Sequence, residues 1–182
     1  AYMATEGRMV AALKKIGFDY CFDATFGADL TVMEESYELI EKLKRKEKPL
    51  FTSCCPSWVK YFKTYHEKDI NNLSTCKSPL SMEATMIKTY FKDMYNLEKD
   101  KIITVSIVPC VAKKYERKLY PETDFALTTK ELAMMIRETN IDFESLKDKE
   151  FDKLLGSSSS SGLIFGASGG VTEAVLRTAY YM

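Results

Sequence analysis

The sequence predicts an α/β fold in which a mostly parallel sheet is flanked by helices. Short apolar runs alternate along the chain with segments whose apolar residues recur at helical spacing, which is the element order of parallel sheets. Several of the apolar runs stop at a cysteine or at a glycine-rich turn. The 182 residues are 46% hydrophobic and 12% aromatic, which is enough to bury a core.

The first half of the chain reads as helix, strand and helix, followed by a second strand. Apolar periodicity predicts helices over residues 9–18 and 33–47, and the aromatic run 20–26 between them predicts a strand. The run "PLFTS", residues 49–53, predicts a strand that ends at Cys54 and Cys55. Pro56 then suits the first turn of a helix, so the two cysteines are predicted on a strand-to-helix turn.

The same order continues in the second half. A helix is predicted over 78–95 with Ser78 as its N-cap, and the β-branched run 101–108 predicts a buried strand that ends at Cys110. Residues 124–140 predict a short strand and a helix, with Thr128 and Glu131 spaced as a capping box. The serine-rich stretch 156–162 predicts a flexible loop, and 163–182 predict a strand, a glycine turn and a helix. Cys54, Cys55, Cys110 and that glycine turn are expected at one edge of the sheet.

Composition excludes several classes of partner. Twenty-six basic and 26 acidic residues give a net charge of zero, which favours neither nucleic acid nor an anionic membrane. No apolar run is long enough to cross a bilayer, and the first residues do not resemble a secretion signal. The sequence therefore predicts a soluble cytoplasmic protein, in which five cysteines do not form a disulfide framework.

The cysteines leave two interpretations open. Thiolates bind zinc and iron–sulfur clusters, but the chain lacks a Cys-x-x-Cys pair, so metal ligation and inert buried thiols are equally compatible with the spacing. Side chains of adjacent residues on a turn usually point in different directions, so only one of Cys54 and Cys55 is expected to bind a given iron. The other thiol is either a proton carrier, with an ordinary pKa near 8.5, or simply buried.

Two further patterns each have a structural and a functional interpretation. Glu35 and Glu38 are three residues apart and share one helix face, which is either a solvated surface or part of a proton path. The turn "GASGG" could hold a phosphate at a helix N-terminus, but it has neither the P-loop ending nor the dinucleotide fingerprint. Nucleotide binding is therefore not the favoured interpretation.

Five segments resemble, in order, the catalytic domain of the iron-iron hydrogenases. "TSCCPSW" is similar to the first signature of that family and "VPCVAKKYE" to the second. "ADLTVMEES", "LSTCKSP" and "IFGASGGVTEAVLRTA" are similar to further stretches, so the resemblance extends over essentially all 182 residues. It implies Rossmann-like lobes and an H-cluster, a 4Fe-4S cubane joined to a two-iron unit that carries carbon monoxide, cyanide and azadithiolate.

The resemblance also implies roles for individual residues. Cys55 and Cys110 match two ligands of the cubane, and Cys54 matches the thiol that exchanges protons with the bridging amine. A second group matches the family's proton path and cofactor pocket. Its members are Glu35, Ser74 and Glu38 in the path, Lys113 at a cyanide, and Ser78, Pro79, Phe165, Gly166 and Val171 in the wall around the two-iron unit.

Some features depart from the family pattern. Ser57, Leu80 and Val108 stand where glycine, glutamine and methionine are usual, which leaves the subgroup open. The later C-x-x-x-C segment that supplies the other two cubane ligands is not within residues 1–182, nor is the upstream Ala-Pro stretch or a ferredoxin-like domain. Residues 1–182 are therefore expected to be an incomplete catalytic domain, the first lobe and part of the second, which is inactive alone.

The implied substrates are dihydrogen and protons, and the implied electron partner is ferredoxin or an NAD(P)H-linked subunit. Hydrogenase maturation proteins would supply the cofactor. Three alternatives stay open: an iron–sulfur assembly relative without hydrogenase activity, a sensory hydrogenase, and a thiol or zinc protein. Cys21 and Cys76 have no implied role and are expected to be buried thiols.

Overall fold

The computed structural model describes residues 5–47 and 49–182. The elements follow in the order of a helix-rich α/β chain. The helices are α1 (Glu6–Ile16), α2 (Ala24–Lys44), α3 (Pro56–Tyr65), α4 (Pro79–Met86), α5 (Lys92–Met94), α6 (Lys113–Glu116), α7 (Thr129–Glu138), α8 (Ser160–Phe165) and α9 (Gly170–Tyr181), and the strands are β1 (Val105–Val108) and β2 (Phe125–Thr128). Two 3₁₀ turns, Glu67–Asn72 and Lys99–Lys101, and a π-helical turn, Ile87–Phe91, complete the list.

The sheet is small and parallel. In the described part of the chain β1 pairs with β2 in one two-stranded sheet, with Val105 opposite Phe125 and Val108 opposite Thr128. Phe51 and Leu73 form an isolated parallel bridge. Of the strand predicted over 49–53, Phe51 is therefore the one residue that pairs with a neighbouring segment. The predicted α/β class with a parallel sheet and flanking helices is confirmed, although the sheet is smaller than the alternation of elements suggested.

One hydrophobic core lies between α1 and α7. Val10, Ala12 and Leu13 of α1 pack with Leu132 and Ile136 of α7, and Cys21 joins them. The five side chains on the two helices come from the apolar stripe of each helix, as helical periodicity predicts. Cys21 is buried, as expected from its default assignment.

A second layer forms around α2, the longest helix. Helices α4, α8 and α9 all pack against it. Two glycines allow the backbones to approach closely, because a Cβ on Gly27 would collide with the Pro79 carbonyl and one on Gly162 with the Thr25 carbonyl. The Ser36 hydroxyl donates to the carbonyl of Val175 at 3.0 Å, so α9 is also tied to α2 by a buried hydrogen bond.

The strand predicted over 20–26 is wrong. The Asp23 carboxylate accepts a hydrogen bond from the Thr25 N–H at 3.0 Å, and this cap starts α2 at Ala24, nine residues before the predicted start at 33. The aromatic residues Tyr20 and Phe22 pack on Phe91 rather than in a sheet. A local cap therefore overrides the β-propensity of the aromatic run.

The strand predicted after residue 162 is also wrong. Ser159 accepts from the Ser161 N–H and starts α8, which contains the apolar run, and its hydroxyl donates to the Asp29 carboxylate at 2.6 Å. The serine-rich stretch is a loop only up to that cap. The glycine turn therefore connects two helices, and it does not lie at a strand end as predicted.

Other local predictions are confirmed. Helix α1 ends at Gly17, whose φ of 121° suits glycine, and α3 begins at Pro56. Thr128 and Glu131 form the predicted capping box of α7. The predicted helix over 78–95 is present but contains the π-helical turn, and the predicted strand over 101–108 is shortened to β1. In the part of the chain that the structure describes, none of the helices is both long and apolar enough to cross a membrane.

Candidate active site

Lys113 joins the two cysteine segments that the sequence singled out. Its Nζ donates to the carbonyl oxygen of Cys54 at 2.7 Å, and its backbone N–H donates to the carbonyl of Cys110 at 3.2 Å. The turn before α3 and the turn after β1 therefore lie side by side. Lys113 can hold this position because it occupies the first residue of α6, directly beyond the Cys110 turn.

The Lys113 ammonium is neutralised by a buried carboxylate. Glu116, three residues further along, pairs with Lys113 Nζ at 2.6 Å through Oε2, and both side chains are largely buried. Its Oε1 accepts hydrogen bonds from the hydroxyls of Ser78 and Ser81, the latter at 2.9 Å. Three donors thus satisfy Glu116, as a buried carboxylate requires.

The three cysteine thiols of this region differ in exposure. Cys55 and Cys110 are exposed, whereas Cys54 is only partly accessible. Burial, with a smaller contribution from Glu35, raises the pKa of the Cys54 thiol to about 11, and Lys113 opposes that rise. Cys54 therefore carries its proton at neutral pH, and the exposed residues Cys55 and Cys110 can be reached by a bound group.

A line of acidic and hydroxyl side chains runs along α2 toward the Cys54 turn. Ser74 donates to Glu38 Oε2 at 2.7 Å, and the Thr75 N–H donates to the same carboxylate. Glu35 is 0% exposed, and its Oε1 accepts from the Ser53 N–H at 3.3 Å. The structure thus brings Glu35, Ser74 and Glu38 together on the side of α2 that faces residues 53 and 74.

Glu35 has the properties of a group that can change its protonation state. Burial raises the pKa of its carboxyl, while hydrogen bonds from the Ser53 N–H and the Ser74 hydroxyl act in the opposite direction. Its Oε2 is buried without a hydrogen-bond partner among residues 5–47 and 49–182. An unpaired buried oxygen costs stability, and such sites are often functional.

Cys76 lies beside this line rather than in the core. It is partly accessible, so the expectation of a fully buried thiol is wrong for this residue. Its thiol is 3.7 Å from Glu38 Oε2, and burial raises its pKa to about 12. Cys76 lies near Glu38 because the chain turns between Ser74 and Cys76. In this turn the Cys76 N–H donates to the Ser74 hydroxyl.

The residues predicted to form a cofactor wall fall into two groups. Ser78 is buried at the N-cap position of α4, but its hydroxyl donates to Glu116 instead of capping the helix as predicted, and Pro79 follows it. Phe165, Gly166 and Val171 lie at the junction of α8 and α9, which packs on α2. Their predicted role as a wall stays a prediction.

Sequence reasoning missed the importance of Glu116. This residue was part of a recognised motif, yet it received no role, although it collects Lys113, Ser78 and Ser81. The available signal was the three-residue spacing of Lys113 and Glu116, which places opposite charges on one helix face. Ser81 and Ser53 had no comparable signal, because their partners are distant in the sequence.

The donor set suits iron–sulfur ligation in part. Exposed thiols such as Cys55 and Cys110 are the soft ligands that iron–sulfur clusters use, and a 4Fe-4S cluster takes four of them. Across the described ranges, no three histidine, cysteine, aspartate or glutamate side chains are grouped so that they could hold a metal ion. These residues therefore fit one part of a cluster site.

Comparison with protein families gives one match over the whole chain. Residues 1–182 match the family described as the C-terminal domain of the iron only hydrogenase large subunit. The periplasmic Fe hydrogenase large subunit of Nitratidesulfovibrio vulgaris is 46% identical over 97% of this chain, and the NADP-reducing hydrogenase subunit HndD of Solidesulfovibrio fructosivorans is 44% identical over 97%. The chain spans 44% and 33% of the lengths of these two relatives.

The fold comparison agrees. A solved structure of a variant of the FeFe-hydrogenase HydA1 from Chlamydomonas reinhardtii superposes with a TM-score of 0.85 at 36% identity, over 97% of this chain and 47% of that one. A cytosolic iron-sulfur assembly component of Bos taurus is more distant, at 28% identity over 96% of this chain. Similarity to the hydrogenases is thus clearly the greater.

Proposed function

Because the chain belongs to the C-terminal domain family of iron-only hydrogenase large subunits, we propose that it is part of an iron-iron hydrogenase. The reaction is the reversible oxidation of dihydrogen to protons and electrons at an H-cluster. The observation that carries the proposal is the line of Glu38, Ser74 and buried Glu35, which approaches the Cys54 turn where Lys113 is bound. This line would carry protons toward the Cys54 turn.

Cys55 and Cys110 would hold the cubane through their exposed thiols. When bound, the H-cluster supplies the redox and hydrogen-activating chemistry that amino-acid side chains lack. Two thiolates from this chain are half of a cubane ligand set, so the other ligands are proposed to come from outside residues 1–182. For the same reason the 182 residues are proposed to be an incomplete catalytic domain that is inactive alone.

Cys54 is proposed to exchange protons with the site, and the three polar residues are proposed to deliver them. A thiol that keeps its proton can donate it, and carboxyl and hydroxyl groups both donate and accept. Oε2 of Glu35, which has no hydrogen-bond partner among the described residues, is available to receive a proton. Ser74 is held next to Glu38, so a proton can move from the half-buried carboxylate inward.

Lys113 is proposed to bind an anionic ligand of the cofactor. Its ammonium already donates to the Cys54 carbonyl and to Glu116, and a third proton remains for a further acceptor. Ser78, Pro79, Phe165, Gly166 and Val171 are proposed to exclude water around the two-iron unit. These assignments rest on the family resemblance and on the position of Lys113 between the two cysteine turns.

Partners and compartment follow from the same proposal. Maturation proteins would install the cofactor, and electrons would pass to ferredoxin or to an NAD(P)H-linked subunit. The relative named as an NADP-reducing hydrogenase subunit supports the second route. The cytoplasm is the proposed compartment, although one relative is named periplasmic. The assembly-factor alternative is weakened by the lower identity of that relative and by the retained Cys54.

The sharpest test separates the two adjacent cysteines. In the complete, anaerobically cofactor-loaded gene product, Cys55→Ser should lower the iron content because it removes a ligand. Cys54→Ser should keep the iron and its spectroscopic signature but reduce hydrogen evolution at least about 100-fold, an effect in the range that proton-transfer groups contribute. Iron analysis, electron paramagnetic resonance and gas chromatography measure these outcomes.

Cys21→Ala is the matched control, because Cys21 lies in the core between α1 and α7. This variant should retain both iron and activity. Full activity in Cys54→Ser, or full iron content in Cys55→Ser, would contradict the proposed division of roles.

The proton path is tested by a second pair of variants on α2. Glu35→Gln keeps the shape of the buried side chain but removes its acidity, so hydrogen evolution should fall about 100-fold while iron content is unchanged. Glu34→Gln, one residue earlier and exposed, is the control and should be near wild type. Equal activities of the two variants would show that protons do not pass through Glu35.

A further inference from the structure

Cys76, to which the family resemblance gives no role, contacts the proposed proton line at three points. Its N–H donates to the Ser74 hydroxyl at 3.1 Å, and its carbonyl accepts a hydrogen bond from the Ser53 hydroxyl at 2.7 Å. Its thiol lies 3.7 Å from Glu38 Oε2, a distance that suits a hydrogen bond from the larger sulfur atom. Cys76 is therefore fixed between the turn that precedes α3 and the face of α2 that carries Glu38.

The backbone contact determines which hydrogen bonds the Ser74 hydroxyl can still make. A serine hydroxyl has one hydrogen and two lone pairs, and the Cys76 N–H occupies one of those lone pairs. One hydrogen and one lone pair remain, which are the two positions that a group passing on a proton needs. The hydrogen is donated to Glu38 Oε2 at 2.7 Å. The same hydroxyl also reaches Glu35, where its hydrogen bond opposes the rise in the pKa of that carboxyl.

The Cys76 thiol is a hydrogen-bond donor rather than an anion. Burial is the main cause that raises the pKa of this thiol to about 12, with smaller contributions from Glu38 and Glu35. Tyr120 also lies near the thiol, and its own pKa is raised chiefly by burial. The thiol therefore keeps its proton at neutral pH, and it can donate that proton to a carboxylate oxygen without repelling it.

Glu38 Oε2 accepts hydrogen bonds from three groups. They are the Ser74 hydroxyl, the Thr75 N–H at 3.2 Å and the Cys76 thiol. The Ser74 hydrogen must leave Glu38 whenever it turns toward Glu35. The Thr75 N–H and the thiol remain at that moment, so the Glu38 carboxylate stays in position although one of its donors has moved away.

We propose that Cys76 is a positioning residue of the proton line, whose thiol donates to Glu38 Oε2 and holds this carboxylate against Ser74. The thiol itself is not consumed, because Glu38 passes a proton to the Ser74 hydroxyl and the hydroxyl passes its own hydrogen to Glu35. Glu35 can accept it at Oε2, which is buried without a hydrogen-bond partner among the described residues. This inference rests on the proposed function, since it assumes that protons pass along α2.

Packing alone does not account for the position of Cys76. The residue is partly accessible, whereas Cys21, which has a packing role, is buried in the core between α1 and α7. An alanine at position 76 would keep the backbone hydrogen bonds to Ser53 and Ser74 but would lose the donor to Glu38. A serine would keep a donor as well. The two substitutions therefore separate the hydrogen bond of the side chain from its volume.

Hydrogen evolution by the complete, cofactor-loaded gene product tests this role. Cys76→Ala should lower the rate about ten-fold, less than the loss expected for the acids of the line, and should leave the iron content unchanged. Because proton delivery then limits the rate, the ratio of the rates in light and heavy water should rise. Cys76→Ser should restore most of the rate. Cys21→Ala, the same chemical change in the core, is the control and should match the wild type in rate and in isotope ratio.

Infrared spectroscopy of the cofactor-free gene product gives a readout that does not depend on hydrogen chemistry. Subtracting the spectrum of Cys76→Ala from that of the wild type isolates the S–H stretching band of Cys76, which lies at lower frequency when the thiol donates a hydrogen bond. An amide is a weaker acceptor than a carboxylate, so the band should move to higher frequency when the same subtraction is made in a Glu38→Gln background. A Glu34→Gln background, changed at an exposed position of α2, should leave the band in place.

Several outcomes would overturn the inference. They are a wild-type rate in Cys76→Ala, equal rates in Cys76→Ala and Cys76→Ser, a lower rate without a rise in the isotope ratio, and an S–H band that Glu38→Gln does not move. The failure of the proposed function is distinguishable. A wild-type rate in Glu35→Gln would overturn the proton path and this inference with it, whereas a slow Glu35→Gln beside a fast Cys76→Ala would overturn this inference alone.

Discussion

Two carboxylates buried on either side of α4 have opposite surroundings. Glu116 accepts hydrogen bonds from Ser78 and Ser81 of the α4 region and pairs with Lys113, so its two oxygens have three donors. Glu83 projects from α4 into an apolar cleft that Phe22 and Phe91 also line. Its Oε1 has no hydrogen-bond partner within the described ranges, and burial raises the pKa of its carboxyl to about 8. The same residue type is buried to a similar degree at both positions.

The difference shows that the hydrogen-bond partners of a buried carboxyl group, rather than its burial alone, decide whether the charged or the neutral form is favoured. A carboxylate with its hydrogen bonds satisfied, such as Glu116, holds Lys113 in place, whereas burial without a partner favours the neutral form of a carboxyl group. The polar groups around Lys113 therefore have their hydrogen-bond partners, whereas Oε1 of Glu83 has none within the described ranges. Substitutions on the two sides should have correspondingly different effects.

The largest effect is expected when the cation of the paired side is removed. Lys113→Met leaves Glu116 buried without its ammonium partner and should reduce the free energy of unfolding by about 3–5 kcal/mol. Urea denaturation of the cofactor-free protein measures the loss. Lys114→Met, which breaks the more exposed pair with Glu131, is the control and should cost far less stability than Lys113→Met. Equal losses would mean that the Glu116 network does not stabilise the fold.

A pH-dependent effect of intermediate size is expected for Glu83. Its pKa rises from an ordinary 4.5 to about 8 in the folded chain, so the folded state retains a proton that the unfolded state has released. Stability is therefore full below pH 4.5 and falls as the pH rises to about 8. The loss should reach roughly 2–4 kcal/mol, since each pKa unit corresponds to about 1.4 kcal/mol and the site relaxes in part.

Urea denaturation of the 182-residue chain between pH 5 and 9 measures the slope of the free energy of unfolding against pH. Glu83→Gln should make this slope shallower, because the amide does not titrate, and Glu34→Gln on the exposed face of α2 should leave it unchanged. A slope as steep in Glu83→Gln as in the wild type would assign the pH dependence to another group, such as Glu35.

The smallest effect is expected when one of several donors to Glu116 is removed. Ser81→Ala deletes the 2.9 Å hydrogen bond but leaves Ser78 and Lys113 in place, so the loss should be about 1–2 kcal/mol. Ser57→Ala, at an exposed position on α3, is the control for hydroxyl removal. If Ser81→Ala lowered the free energy of unfolding as much as Lys113→Met, this prediction would be wrong, because the Ser81 hydroxyl would then stabilise the fold as much as the Lys113 ammonium.

Much of the candidate site was predictable because its signals are local. The cysteine turns, Pro56, and the Glu35 and Glu38 pair on one helix face follow from residue types at fixed spacing. What local spacing could not provide was the set of distant partners. The Cys54 carbonyl that binds Lys113 and the α4 hydroxyls that bind Glu116 are 35 or more positions away along the chain.

The sequence by itself determined the α/β class, the family and the ends of helices such as α1 and α7, because caps and glycine turns act within a few residues. Only the tertiary structure decided that residues 20–26 and the run after 162 are not strands, since caps at Asp23 and Ser159 compete with β-propensity and packing selects the outcome. It also decided which acids are paired. Burial and pairing depend on what packs against a residue, and no spacing along the chain encodes that.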